Sequence, residues 1–173
     1  MKAGLIAELI NAYNVYKDGK RIGVDADVEL PELEALTETS SAAGVLGEID
    51  IPATGHFGSL KTKIKFAILS DDYFSMLDTT KPLELTLRAS GEYTDKETGN
   101  LEDISVKIIV RGWVTNSNLG SLEQGKKGEP ELEIETTYLK VDIDGATRLE
   151  LDKLNFKYVV NGKDLLAKIR KNI

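Results

Sequence analysis

Cysteine is absent from this chain of 173 residues, and histidine occurs once, at His56. Disulfides and thiolate metal centres are thereby excluded, and a lone histidine cannot build a usual zinc site. Aromatic residues make up only 6% of the chain, and proline occurs four times. No stretch approaches the roughly 18 consecutive apolar residues of a membrane span. The N-terminal AGLIAELINAY carries Glu8 inside its apolar run and no small-residue cleavage pattern, so no signal peptide is expected. Folding and assembly in the cytosol is the default expectation. Basic residues are in the minority: 22 Lys and Arg against 29 Asp and Glu leave a net charge of −7. Nonspecific grip on nucleic acid runs on cations neutralising phosphates, so this balance argues against it.

What the chain does have is alternation. Asp25, Asp27 and Glu29 alternate with Val24, Ala26, Val28 and Leu30. Lys61, Lys63 and Lys65 alternate with Leu60, Ile64 and Phe66, and Glu131, Glu133 and Glu135 with Leu132 and Ile134. A period of two builds a half-buried strand, one face on a core and the other on water or a partner. A chain of this length buries roughly 70% of its unfolded surface, enough for one domain spanning 1–173.

Turn chemistry divides the alternating segments. Asp18-Gly19 is a hairpin signal because glycine adopts the positive φ such turns require. The return strand is read from Ile22 to Leu30, where Pro31 stops it. Residues 31–47, poor in large apolar side chains and rich in Thr, Ser and Ala, are read as a loop or as an arm that orders against a neighbour. Residues 4–10 fit either a helix or an extended segment. Strand patterns continue at 48–52, 59–69, 83–92 and 102–115, with DKETGN (95–100) joining the last two. Ser70 is placed to cap a short helix beginning Asp71-Asp72. The 131–144 strand changes parity, from Leu132 and Ile134 to Leu139, Val141 and Ile143, which predicts a bulge or a change of layer near Thr136–Tyr138. A partner strand is read from the Asp144-Gly145 turn to Asn161-Gly162, and an amphipathic helix from Asp164 onward. The sum is a mainly β chain: an antiparallel sandwich or barrel of about eight strands with one or two short helices.

Catalytic hardware is sparse. No serine nucleophile elbow, phosphate-cradling glycine loop or calcium-loop spacing occurs. His56, in ATGHFG, is read as a turn histidine whose flanking glycines permit close backbone approach. Carboxylates two apart on one strand stand about 6.5–7 Å apart, too far to share one ion without ligands from elsewhere. The lysine ribbon 61–65 lacks interleaved exposed aromatics, so pairing across strands with an acidic ribbon is expected instead of a nucleic-acid face. Trp113 is read as core or subunit contact. These residues give no enzyme, no metal site and no cofactor.

Taken in order, several segments resemble the major tail tube proteins of P2-type contractile phage tails and the related tubes of phage-tail-like bacteriocins. The segments are NAYNVYKDGKRIGV, VELPEL, GVLGEIDIPATG, the DKETGN turn, VKIIVRGW and GSLEQGKKGEPE. The series ends with YLKVDIDGATRLELDKLNFKYVVNGKDLLAKIRKNI, whose DG turn, VNG turn and basic terminal segment are its most specific part. The resemblance implies a non-enzymatic structural protein of the virion tail, assembled in the host bacterial cytoplasm. Six copies would form a ring, and rings would stack into a hollow tube inside a contractile sheath. DNA would pass through the bore without specific binding. The implied partners are further copies of the chain and the sheath, tape measure, baseplate and tail terminator proteins, with no stable membrane association. In such a tube Asp25, Asp27, Glu29, Glu48, Asp50, Glu84, Arg88, Asp103 and Lys107 are expected on the bore wall. The arm, with Leu33, Leu36, Thr37, Val45 and Leu46, is expected to contact another subunit or ring. A type VI secretion tube of the Hcp kind and a small-ligand β-barrel are the alternatives.

Overall fold

Alternating segments become strands wherever one face finds a core. The structure, a computed structural model, describes residues 5–22, 27–41 and 46–172. In chain order it places β1 (Leu5–Lys17), β2 (Lys20–Arg21), β3 (Val28–Glu29), β4 (Ala35–Ser40), β5 (Ile49–Phe57) and β6 (Lys61–Lys65). After α1 (Asp71–Phe74) come β7 (Leu83–Asp95), β8 (Leu101–Asn118), β9 (Glu131–Ile143) and β10 (Ala146–Asp152). β11 (Lys157–Val160), β12 (Lys163–Asp164) and α2 (Ala167–Arg170) complete the chain. Among the described residues the fold is mainly β, antiparallel, with two short helices and no closed barrel.

Ten strands form one sheet in the order β12-β11-β10-β9-β8-β7-β1-β2, with β6 attached to β9 and β3 to β6. β9 therefore carries two neighbours in succession along one edge: β6 beside Glu131–Glu135 and β10 beside Tyr138–Ile143. The change of parity falls at that junction. β8 pairs Arg111 with Tyr138 but Gly112 with Thr136, leaving Thr137 as the extra residue of a bulge. Leu132, Ile134 and Thr136 are buried before it and Leu139 after it. Gly112 is required here, since a Cβ on it would lie 1.9 Å from the Glu135 carbonyl oxygen.

The apolar sides meet in one core. Leu83, Leu85 and Leu87 of β7 and Val110 of β8 pack with Val15, Ile64, Phe66, Leu132 and Ile134. Tyr73 and Met76 come from α1 and its C-terminal flank, and Tyr73 stacks edge-on against Phe66. Ser70 caps α1 as its position suggests, its Oγ accepting from the Tyr73 N–H at 3.3 Å. Val28 of β3 lines one cavity with Leu87 of β7 and Ile108 of β8, so the β6–β3 flank faces the inner side of β1, β7 and β8.

Four local expectations need correction. Of the segment read as one strand from Ile22 to Leu30, Val28–Glu29 is strand among the described residues, as β3 paired with β6, and residues 23–26, Asp25 among them, lie outside the described residues. Residues 35–40 are strand, not loop, because they pair with β5. The strand read from residue 146 to 160 is two strands, broken by a turn over 153–156. There Asp152 Oδ1 accepts from the N–H groups of Leu154 and Asn155, and Phe156 takes a φ of 49°. The terminal helix is one turn long, since β12 uses Lys163–Asp164 for pairing with β11. Residues 5–10, ambiguous in sequence, are extended along β7.

Candidate assembly surfaces

The charged ribbons pair with one another. β6 lies between β3 and the first half of β9, in a register that sets Lys61, Lys63 and Lys65 opposite Glu135, Glu133 and Glu131. Lys61 Nζ reaches Glu133 at 2.9 Å, and Lys65 and Lys63 reach Glu29 at 3.2 and 3.8 Å. Hydrogen bonding and charge from Lys65 hold the Glu29 carboxyl below its ordinary value, and Glu133 raises Lys61 in the same way. At the inner end of this zipper, Glu135 accepts from Ser59 Oγ, from the Leu60 N–H at 3.3 Å and from Lys153 Nζ at 3.3 Å. Burial works to raise Glu135, but these three donors outweigh it and its pKa is lowered. The expected pairing of lysine ribbon with acidic ribbon is what the register delivers.

A second charged surface covers the outer side of β7, β8 and the later half of β9. Glu84, Arg88 and Glu92 alternate with the buried leucines of β7. Register places them opposite Arg111, Lys107 and Asp103 of β8. Lys107 and Ile109 in turn face Asp142 and Lys140 of β9. Contacts run laterally across the strands: Glu84 to Arg111 at 3.6 Å, Arg111 over the Tyr138 ring at 4.7 Å, and Tyr138 Oη donating to Glu150 at 3.4 Å. Lys157 closes the row on Glu150 at 2.8 Å. Burial pushes Asp142 upward, yet bonds from Thr147 Oγ1 at 2.7 Å and Lys140 at 3.3 Å leave it lowered. Across β7–β9 the carboxylates Glu84, Glu92, Asp103 and Asp142 are equal in number to Arg88, Lys107, Arg111 and Lys140, although Arg88 faces Lys107 and Glu92 faces Asp103 across the strands. The acidity of the whole chain is not expressed on this face.

β4 and β5 form a separate two-stranded sheet. Its root is fixed: the Gly58 N–H donates to the Glu34 carbonyl at 3.0 Å, Phe57 meets Tyr158 edge-on at 5.0 Å, and His56 meets Phe156 at 6.1 Å. Gly55, at a φ of 80°, lies against buried Leu166, where a Cβ would come within 2.7 Å of the side chain. His56 thus stands in a strand and not in a turn, while close approach at its neighbouring glycine is as expected. Beyond the root, Leu36, Ile49 and Ile51 remain 52%, 48% and 49% exposed.

The residues expected on the bore wall divide among three surfaces. Glu84, Arg88, Asp103 and Lys107 share the outer face of β7 and β8. Asp27 and Glu29 belong to the β3–β6 flank, where the Asp27 carbonyl accepts from the Lys65 N–H. Glu48 and Asp50 are exposed at and beside the start of β5, Asp50 accepting from Thr39 Oγ1 at 2.7 Å. Asp25 lies outside the described residues. Of the arm residues, Leu33 precedes β4, Leu36 and Thr37 lie on its two faces, and Leu46 is fully exposed. Val45 is outside the described residues. Sequence reasoning missed Arg111, Tyr138, Lys140 and Asp142, although their parity relative to Lys107 follows once the turns at 95–100 and 144–145 set the register. Trp113 sits on the outer side of β8 opposite Glu135 and is 36% exposed, so it is not a core residue.

Among the described residues no group of three or more His, Asp or Glu could hold a metal ion, and no helix is long and apolar enough to cross a membrane. Comparison with known proteins bears on the role of these surfaces. The family model described as phage tail tube protein FII matches residues 7–173. The tail tube protein of Escherichia phage P2 is 27% identical over 162 residues, covering 92% of this chain and 93% of the relative. The major tail tube protein of Serratia phage KSP20 is also 27% identical, over 161 residues, covering 92% and 91%. With nearly its whole length matched and its long antiparallel strands presenting a paired, charged surface, the chain belongs to the phage tail tube protein FII family and is a structural component of the tail.

Proposed function

We propose that six copies of this chain, each one domain over 1–173, close into a ring and that rings stack into the inner tube of a contractile tail. The outer face of β7 and β8 lines the bore, with Glu84, Arg88, Asp103 and Lys107 on its wall. The observation that carries this reading is the overall balance of charge on that face, where Glu84, Glu92, Asp103 and Asp142 offset Arg88, Lys107, Arg111 and Lys140, even though register sets Arg88 opposite Lys107 and Glu92 opposite Asp103. A polyanion sliding along it meets neither a run of cations to hold it nor a run of carboxylates to stop it. Screening confines the residual fields to about 8 Å at physiological salt. DNA therefore passes without specific binding.

Ring closure has a physical motive in the sheet edge. Among the described residues, no strand pairs with β1 along Leu5–Ala12 on the side away from β7. An exposed edge of that length invites uncontrolled pairing unless a partner covers it. A heterologous contact that meets itself after one turn covers it in every copy. Asp27, Glu29 and the zipper of β3, β6 and β9 then belong to the flank of the subunit, where neighbouring copies and the sheath approach. Tape measure, baseplate and tail terminator proteins meet the tube at its bore and ends, and assembly takes place in the host cytoplasm.

Negative-stain microscopy of concentrated protein tests the reading. Hollow tubes or six-fold rings are expected; a strict monomer at every concentration, taking up a fluorescent hydrophobe like a carrier, would contradict it.

A further inference from the structure

We propose that Asn161 is a site of spontaneous covalent modification: its side chain closes on the Gly162 nitrogen as a succinimide, and the isoaspartate that follows loosens the C-terminal hairpin. The site stands apart from the surfaces assigned to the tube and does not depend on that reading.

Three hairpin turns share one backbone and differ in chemistry. Asp18-Gly19, Asp144-Gly145 and Asn161-Gly162 open at φ values of 50°, 49° and 48°, followed by glycines at 76°, 76° and 79°. Asp18 and Asp144 carry carboxylates, which resist attack by an amide nitrogen once ionised. Asp144 Oδ1 also accepts from the Ser105 N–H at 3.0 Å, and its own N–H donates to the Ser105 carbonyl at 2.9 Å. Asn161 instead presents a carboxamide, from which ammonia can leave, in the only Asn-Gly pair of the sequence. It is exposed, and its side chain has no hydrogen-bond partner among the described residues. Gly162 brings no side chain to obstruct the approach, and the space beside its Cα is open.

Ring closure requires ψ of Asn161 to rotate away from its hairpin value, so the turn must open first. Opening costs least at this turn. β12 contributes only the pairs Val159 with Asp164 and Val160 with Lys163, whereas Asp144-Gly145 joins strands of 13 and 7 residues. A short terminal hairpin opens locally, well below the cost of global unfolding. The Gly162 nitrogen then attacks Cγ of Asn161: the N–Cγ bond forms, the Cγ–Nδ2 bond breaks, and the displaced amide nitrogen leaves as ammonia with the proton from Gly162. Water opens the ring at either carbonyl, giving isoaspartate on the main-chain side and aspartate on the side-chain side. Both products add a negative charge. Isoaspartate also inserts a methylene into the main chain, which shifts β12 against β11. Asp164 hangs on that register: it pairs with Arg170 and accepts from the Leu166 N–H at 3.0 Å, and Leu166 in turn packs at Gly55.

The test is a time course of the full chain in warm, mildly alkaline buffer, folded and in guanidinium, read by peptide mapping with electron-transfer fragmentation. In the folded protein, loss of the amide is expected at Asn161 ahead of Asn100, Asn116 and Asn118, with isoaspartate as the main product. Asp164→Ala removes the contacts to Arg170 and Leu166; it should raise the folded rate several-fold and leave the rate in guanidinium unchanged. Protein enriched in isoaspartate should melt below fresh Asn161→Asp, which adds the charge without lengthening the chain. Folded protein that keeps Asn161 intact while the denatured chain is fully converted overturns the proposal, as does earlier loss at another asparagine. An unchanged folded rate in Asp164→Ala overturns turn opening as the controlling step. Equal melting of the isoaspartate and Asn161→Asp forms overturns the loosening.

Discussion

The β7–β8–β9 sheet and the β4–β5 hairpin are built from the same kind of sequence and end in opposite situations. In β7, alternate residues Leu83, Leu85 and Leu87 are buried while Glu84 and Arg88 face outward. In the hairpin Leu36, Ile49 and Ile51 share one side with Glu38 and Ser40, the register slips between Ala35 and Thr37, and that side is left half exposed. Burying a side chain of this kind contributes about 1.5–3 kcal/mol. The sheet gains that within the subunit; the hairpin does not. The same kind of pattern therefore stabilises the fold in one region and leaves apolar side chains in solvent in the other.

The comparison can be broken at either end. Gly112→Ala should have the largest effect on the fold, because the new Cβ overlaps the Glu135 carbonyl at the bulge joining β8 to β9. A loss of more than about 3 kcal/mol is expected in urea denaturation; a variant as stable as the parent would show that the bulge is not needed. Deleting residues 33–45 should instead leave a folded monomer, seen in circular dichroism and gel filtration, that cannot elongate tubes. Normal tubes from that deletion would make the arm incidental. Glu135→Gln removes the acceptor shared by Ser59, Leu60 and Lys153 and should cost about 1–3 kcal/mol in the same denaturation assay.

Acid should weaken the sheet and its flanks together. Asp142, Glu135 and Glu29 are lowered in the folded chain, and Asp78 is lowered to about 2 by hydrogen bonds from Thr80 and by Lys81. Depressed carboxylates stabilise the folded state fully above their unfolded values and lose that contribution as pH falls through their folded ones. The melting temperature should decline from about pH 4 downward, and a flat profile over that range would contradict the pairing. The smallest effect is expected from Lys61→Ala, whose partner Glu133 leaves it largely in solvent; the change should stay below about 1 kcal/mol.

Much of this was legible in the chain. Parity alone marked the bulge at Thr136–Tyr138, because only an extra residue lets Ile134 and Leu139 share a core. The Asp18-Gly19, 95–100 and Asp144-Gly145 turns and the Ser70 cap are local chemistry, and each stands where its residues put it. Legibility failed where a partner distant in sequence decides the outcome. Residues 35–40 look like a loop until Ile49 and Ile51 pair with them. Lys163 and Asp164 look helical until β11 takes them into the sheet. The grouping of candidate residues was likewise hidden: period two says that Glu29 and Glu84 both point outward, but only the attachment of β6 to β9 puts them on different surfaces. Nothing in the sequence short of the full register brings Arg111 and Tyr138 beside Glu84.

The most direct test of the central claim is a cryo-electron reconstruction of the assembled protein at side-chain resolution. The account predicts a hollow six-fold tube whose inner wall is the outer face of β7 and β8, with Glu84, Arg88, Asp103 and Lys107 pointing into the bore. Those four residues on the outside of the tube, or buried between rings, would contradict it.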